Sequence, residues 1–534
     1  MSDTQTAEVT RRNSSALISE GVFLLALAVA AYLRFHLIGI KPLHHDEGVN
    51  SFFLLRLYRE GQYAYDPNNY HGPTLYYFAL LALYLFGEVD LALRFWPALF
   101  GVLSVLLLWP LRRWLGLVGT PVAAWLVALS PGLVYFSRDF IHEMPFGFFT
   151  LGIVACGWRY AATRKFAYLA GLAAFAGLLF ATKETAIITA VVLVLAALCA
   201  AVWDIGRRLV IEHRFSLGSL LEELWAGLRN VWPPLDPLLS AVIIFIFINV
   251  IFYSSFFSHW KGVVDAGKSV MLWAGRGVSG REHYHSPQYY FGILMKLELP
   301  LAVGAVLGGL VALWRGTRFG LFLLAWSAGI VLAYTLIDYK TPWLMVSMLL
   351  PLALLSGYAA EEMFSLLPSI SLRLVWGAIL LAIFISCARM AARVNFEKYD
   401  DNTNSSGYLK GLGTRVGLMA YKDEQYGGYV YAQTDRDALN LVRAIREAAD
   451  RMPMGKSTGI LIAPTNQDYW PLPWYLRDYN QVAYVGGLPP TITQPIVIVK
   501  AEQEAEVEPK LGADFTSSNY LLRPGVNLIL YAQK

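Results

Sequence analysis

Long apolar stretches recur along the first four hundred residues, separated by short polar turns. A helix needs roughly 20 residues to cross about 30 Å of hydrocarbon. Eleven stretches approach that length, at roughly 17–38, 94–111, 118–136, 145–161, 166–182, 184–202, 237–257, 288–313, 318–337, 341–359 and 371–390. The segment at 71–87 (HGPTLYYFALLALYLFG) is apolar but shorter and has Pro73 near its start. A helix lying in the outer interface is expected there. With that placement Arg11/Arg12, Arg112/Arg113, Arg159 with Arg164/Lys165, Arg207/Arg208 and Arg315/Arg318 all fall on one face. The positive-inside rule makes that face cytoplasmic, so the amino end is expected inside and the carboxyl end outside. Ala28-Val29-Ala30 resembles a signal-peptidase site, but the many spans that follow favour an uncleaved anchor. Residues 207–234 have helical apolar spacing and are expected on the cytoplasmic membrane surface.

After about Arg393 the pattern changes. An amphipathic helix at 435–452 is followed by strand-like runs at 459–463, 496–500 and 527–532, the signature of a small α/β unit. The expected fold class is a polytopic all-α membrane protein of about 11–13 transmembrane helices with a C-terminal extracytoplasmic α/β domain. The expected division is 1–393 for the membrane domain, with outer-face loops 41–93 and 258–287, and 394–534 for the α/β domain.

Composition agrees. Hydrophobic residues make up 56% of the 534 positions and charged residues 15%, with a net charge of +4. Soluble domains carry about 25% charge, so a soluble enzyme, a disordered chain and a basic nucleic-acid binder are all excluded. Cys156, Cys199 and Cys387 lie in apolar runs and match no metal or disulfide spacing. The sequence has no internal repeat and no glycine-rich phosphate loop.

Charges beside spans are costly and mark function by default. The expected topology gathers most of them on the outer face: His44-His45-Asp46-Glu47, His71, Arg138-Asp139 with His142-Glu143, Lys183-Glu184, Arg281 to His285, Lys296 with Glu298, and Asp338-Tyr339-Lys340. Each has a plainer reading. Asp46-Glu47 would cap a helix, Arg138-Asp139 would neutralise itself, Lys183-Glu184 would break an apolar run, and Lys296 would snorkel. Taken together, a carboxylate beside several cations at headgroup depth suits a lipid phosphate. A phosphate leaving group needs positive charge aimed at it, and an attacking hydroxyl needs a carboxylate base. Carboxylate and imidazole also suit a divalent ion such as Mg, Mn or Zn. The metal candidates are His44, His45, Glu47, Asp139, His283 and His285, but no spacing identifies a site.

The run HHDE at 44–47, YHGPTLYY at 70–77, Phe86-Gly87, ALRFWPAL at 92–99, Ser130-Pro131, Ser137-Arg138-Asp139 and ATKE at 181–184 together resemble the GT-C membrane glycosyltransferases. The nearest resemblance is to the protein-mannosyltransferase-like and aminoarabinose-transferase-like enzymes. The runs YKTPW at 339–343 and PWYLRD at 473–478 resemble the group labelled flippase-activity-associated proteins. The resemblance implies a polyprenyl-phosphate-linked sugar as donor, an active site facing away from the cytoplasm, and hexosyl or pentosyl transfer with inversion. It implies Asp46 as base with Glu47 beside it. Arg138, Lys183 and Lys340 match the family's basic positions and, with Arg281, are the donor-phosphate candidates. Asp139, His71, Glu184 and Tyr339 are the acceptor or supporting candidates, and the acceptor is a glycan, lipid or protein. Gly72 departs from the family's His-Pro-Pro pattern. Two rivals are a transporter or flippase partner that moves a lipid-linked sugar without breaking a bond, and a scaffold whose working part is the α/β tail.

Overall fold

The computed structural model describes residues 3–68, 71–279, 285–399, 408, 428–429 and 433–534. Helices dominate the first part of the chain: α1 (Asp3–Phe35), α2 (His45–Glu60), α3 (Thr74–Phe86), α4 (Asp90–Leu106), α5 (Arg112–Leu129), α6 (Pro131–Phe136), α7 (Glu143–Thr163), α8 (Phe166–Phe180) and α9 (Ala186–Ile211). They continue as α10 (Leu217–Val231), α11 (Leu235–Tyr253), α12 (Lys261–Ser279), α13 (Tyr289–Leu297), α14 (Leu299–Arg315), α15 (Arg318–Leu336), α16 (Met345–Ser365) and α17 (Ile370–Ala392). Among the described residues, seven helical stretches are long and apolar enough to cross a membrane, or eight if α13 and α14, bent by 109°, form one span. This is a multi-pass membrane protein.

Each of the eleven expected spans meets a helix, and the smaller number comes from joins, short elements and α7, which is 21 residues long but not apolar enough. Asp90–Leu129 runs as one 40-residue stretch through two expected spans. Helix α8 has only 15 residues. The short helix expected at 71–87 is α3, and the insert at 207–234 holds α10, which buries none of its residues. Helix α16 is the axis of the bundle: 89% of its apolar window is buried. It packs tightly on α5, where Gly119 and Gly357 face each other and a Cβ on either would sit 2.6 Å from the other's carbonyl oxygen. Helices α11 and α17 are only 6% buried over theirs, as suits a surface surrounded by lipid.

The C-terminal part is a five-stranded sheet of β1 (Ile460–Ile462), β2 (Val482–Tyr484), β3 (Ile496–Lys500), β4 (Phe515–Arg523) and β5 (Val526–Gln533), in the order β2-β1-β3-β5-β4. The pairs β1–β2 and β1–β3 are parallel, while β3–β5 and β5–β4 are antiparallel. Helix α18 (Asp437–Arg451) lays Ala438, Leu441, Val442, Ile445 and Ala449 on one face of the sheet, the i, i+3, i+4, i+7 stripe of an amphipathic helix. Strand β4 escaped the sequence pattern because Thr516 to Asn519 are polar and exposed.

The sheet unit is fastened to the loop before α2. Thr434 Oγ1 donates to the Leu43 carbonyl at 2.6 Å, and the Leu43 N–H donates to the Tyr475 hydroxyl at 2.8 Å. Trp474 Nε1 donates to Asp90 at 2.8 Å, and Arg477 pairs with Glu88 at 3.1 Å. Gly48 allows the closest approach, since a Cβ there would lie 2.6 Å from that of Pro471.

Candidate active site

The site grows from the start of α2. His44 caps it: the Asp46 N–H donates to His44 Nδ1 at 3.1 Å, and the His44 N–H donates to Glu47 Oε2 at 2.8 Å. Reciprocal bonds of this kind satisfy donors that a helix start leaves open. The helix-cap reading of the acidic pair therefore holds for Glu47. Glu47 is fully buried and bidentate with Arg94, with Nε to Oε1 and Nη2 to Oε2 both at 2.7 Å. The Phe140 N–H donates to Oε1 at 2.8 Å. Four donors thus occupy Glu47's two oxygens. That leaves no lone pair for a proton in flight or a metal, a correction to its expected catalytic and metal-binding places. Asp46 differs. Its carboxylate is half-buried and makes no hydrogen bond or ion pair among the described residues.

Arg94 also donates to the carbonyls of Ile38, Lys41 and Pro42 at 2.8 to 3.3 Å, so it shapes the α1–α2 loop. Asp139 is buried and ion-paired to Lys41, whose ammonium also lies 3.7 Å from the centre of the Tyr135 ring. Arg138 is drawn elsewhere. Its Nη1 donates to the carbonyls of Leu33, Arg34 and His36 and its Nη2 to Leu37, at 2.6 to 3.2 Å. It caps the end of α1, so its terminal nitrogens are not turned to a donor phosphate. Arg34, fully buried, likewise spends itself on the carbonyls of Ala30, Val127 and Ala128 and on the Ser137 hydroxyl.

A contiguous polar path leaves Phe140. Asn50 Nδ2 donates to the Phe140 carbonyl at 2.9 Å, and the Tyr76 hydroxyl donates to Asn50 at 3.0 Å. The Tyr76 ring meets His142 edge-on, and His142 lies 4.7 Å from His71, ring centre to ring centre. Glu143 then holds Lys183 at 2.6 Å with both side chains buried. Beside them Glu184 accepts from the Tyr65 hydroxyl at 3.3 Å and lies 3.9 Å from His71 Nδ1. Backbone pairing between His71 and Lys183 joins the start of α3 to the α8–α9 turn. It explains Gly72. Its N–H donates to the Thr182 carbonyl at 3.0 Å, and a Cβ would stand 2.1 Å from the Ala181 oxygen.

Trp343 brings the Tyr339–Trp343 run to the same place, meeting His44 edge-on at 6.1 Å, while Trp470 of the sheet unit meets His45 at 6.5 Å. Burial pushes the His45 imidazole down to about 4, against the pull of Asp46. Lys340 is buried and donates to the Ile337 carbonyl at 2.5 Å. Its ammonium forms no ion pair among the described residues, although the Asp338 carboxylate two residues away acts on its charge. Tyr339 is half-buried. His285 stacks on Tyr289 with ring centres 4.3 Å apart. Arg281 and His283 lie outside the described residues, as does Tyr70 of the motif.

The metal candidates do not assemble. Among the described residues no three His, Cys, Asp or Glu side chains converge to hold an ion. Glu47 is saturated by its four donors, Asp139 is paired to Lys41, and His44 Nδ1 is used by the cap. The candidates among the described residues do not fit a divalent ion, and His283 lies outside them.

Sequence reasoning missed Lys41, Glu143 as the partner of Lys183, and the role of Arg94. Arg94 sat within a quoted motif. A single arginine inside an apolar helix is the signal that a buried acid lies opposite.

The helical bundle with its docked α/β unit has the fold of solved GT-C membrane glycosyltransferases. Residues 70–222 match the dolichyl-phosphate-mannose-protein mannosyltransferase family. Among solved structures, ArnT from Cupriavidus metallidurans bound to undecaprenyl phosphate aligns with a TM-score of 0.58 at 16% identity, over 96% of this chain and 98% of ArnT. The apo oligosaccharyltransferase of Archaeoglobus fulgidus aligns with a TM-score of 0.51 at 14% identity, over 88% of this chain and 64% of that one. At such identities the likeness is one of fold. No curated protein matches the chain.

Proposed function

We propose that the protein is an inverting glycosyltransferase that moves a sugar from a polyprenyl-phosphate-linked donor to an acceptor on the extracytoplasmic side of the membrane. The observation that carries the reading is Asp46: a half-buried, unengaged carboxylate on a helix start held by His44, Glu47 and Arg94. In this scheme Asp46 takes the proton of an acceptor hydroxyl as its oxygen attacks the anomeric carbon. The bond from that carbon to the phosphate oxygen breaks, and the phosphate leaves with the bonding electrons from the opposite face. One base facing the leaving group gives inversion, as in inverting glycoside hydrolysis. Positive charge must meet the departing phosphate. Lys340 is the leading candidate, because it forms no ion pair among the described residues and its charge is met only at a distance by Asp338, two residues away. Lys183 is shared with Glu143. Glu47, Asp139 and Arg138 position the loop rather than touch substrate, and His71, Glu184 and Tyr339 are left to the acceptor side. The undecaprenyl phosphate on ArnT and the family match over 70–222 support a lipid-phosphate donor.

The test uses the purified full chain with undecaprenyl-phosphate-linked hexoses and pentoses, membrane extract as acceptor source, and release of undecaprenyl phosphate as readout. Asp46→Asn is expected to lower turnover about 10²- to 10⁴-fold, the usual share of a general base, with thermal unfolding unchanged. Full turnover by that variant would remove the base assignment.

A further inference from the structure

The carboxyl end of α17 carries two cations that the proposed reaction does not use, Arg389 in its last turn and Arg393 at its cap. Arg389 is exposed and Arg393 half-buried. Neither has an acidic partner or a side-chain hydrogen bond among the described residues. They are four residues apart and so lie on one helix face. At 1.5 Å per residue, Arg389 stands about 28 Å along the helix from Ile370, at the far edge of the hydrocarbon. On the topology read from the sequence this is the outer edge, where the positive-inside rule offers no reason to place arginines. A guanidinium facing lipid costs about 2.5–3.5 kcal/mol at the bilayer centre and is tolerated at the edge if it meets water or phosphate.

Snorkelling alone would leave a convex helix surface. Instead both arginines border a cavity that Ala382, Ile385, Ser386 and Tyr408 also line. Tyr408 also lines it, fixed by its hydroxyl to the Ser386 carbonyl at 3.1 Å and by its N–H to the Lys296 carbonyl at 2.9 Å. From Arg393 back along the chain the lining reads arginine, methionine, arginine, hydroxyl, then the apolar Ile385 and Ala382. That is the profile of a lipid standing upright, with its phosphate at the top and its chain below. Paired guanidinium groups favour phosphate oxygens through charge-assisted bonds.

We propose that Arg389 and Arg393 form a binding site for the phosphate of an anionic membrane lipid, separate from the Asp46 pocket. The chemistry is shared by a glycerophospholipid and a polyprenyl phosphate, and the experiment separates them. The full chain is reconstituted in phosphatidylcholine nanodiscs with either phosphatidylglycerol or undecaprenyl phosphate at low mole fraction. Bound lipid is counted by native mass spectrometry. The expected result is retention of one of the two lipids, falling about tenfold or more in Arg389→Gln/Arg393→Gln. The Arg373→Gln variant, at the other end of α17, is expected to retain it. The lipid that shows the drop names the source. Equal retention of both lipids by wild type and double variant, at matched thermal stability, overturns the site. Because Asp46 is untouched, this outcome is independent of the turnover test above.

Discussion

The Arg94–Glu47 pair gives the sharpest test of how the site is held. Both side chains are fully buried, and Arg94 joins the carboxylate to three carbonyls of the α1–α2 loop. Arg94→Met removes two charge-assisted bonds and strands a buried carboxylate that keeps only the His44 and Phe140 N–H groups. Breaking one partner of a buried pair costs about 3–5 kcal/mol. Glu47→Gln keeps the shape and one acceptor, and leaves Arg94 its carbonyl partners, so about 1–3 kcal/mol is expected. In Arg94→Met/Glu47→Gln no carboxylate is stranded, and the loss should be well below the sum of the single effects, with a coupling of at least about 1 kcal/mol. Equilibrium unfolding in mixed detergent micelles measures the cycle. Additive losses, with coupling under about 0.5 kcal/mol, would mean that the two side chains are held independently and would refute the clamp.

Gly72→Ala should destabilise the junction of α3 with the α8–α9 turn, because its Cβ would meet the Ala181 oxygen at 2.1 Å. Gly72→Pro should do at least as much harm, since it also removes the N–H that bonds Thr182. A lower unfolding temperature for both variants checks this. His45, pushed down to about 4 by burial, is neutral in the fold but free to protonate near its ordinary value of about 6.5 when unfolded. The unfolded chain therefore binds the extra proton first, and the His45 contribution to stability falls as pH drops from about 6.5 to about 4. His45→Gln should flatten that part of the pH–stability curve.

The bundle was legible because its signal is long and local: each apolar run of about 20 residues needs no partner to be recognised. The charged clusters around His44–Glu47, Arg138–Asp139 and Lys183–Glu184 were legible for the same reason, as charges among apolar neighbours. Their pairings were not. Arg138 and Asp139 are adjacent in sequence, yet one turns to the carbonyls closing α1 and the other to Lys41. Asp46 and Glu47 are also neighbours, and one is saturated while the other is free. Such divergence depends on which way a side chain points from a turn, and no sequence period encodes that. Strand β4 was missed because its exposed edge is polar on both sides for four residues.

Arg34 and Arg138 satisfy their hydrogens with carbonyl oxygens instead of carboxylates. A carbonyl dipole quenches the hydrogen-bonding demand of a guanidinium but leaves its monopole intact. At about 10 Å and an effective dielectric of about 20, one such charge attracts a unit anion by about 1.7 kcal/mol. The buried charge of Arg34, and what Asp139 leaves of the charge of Arg138, therefore bias their end of the molecule toward negative ligands, before either makes contact.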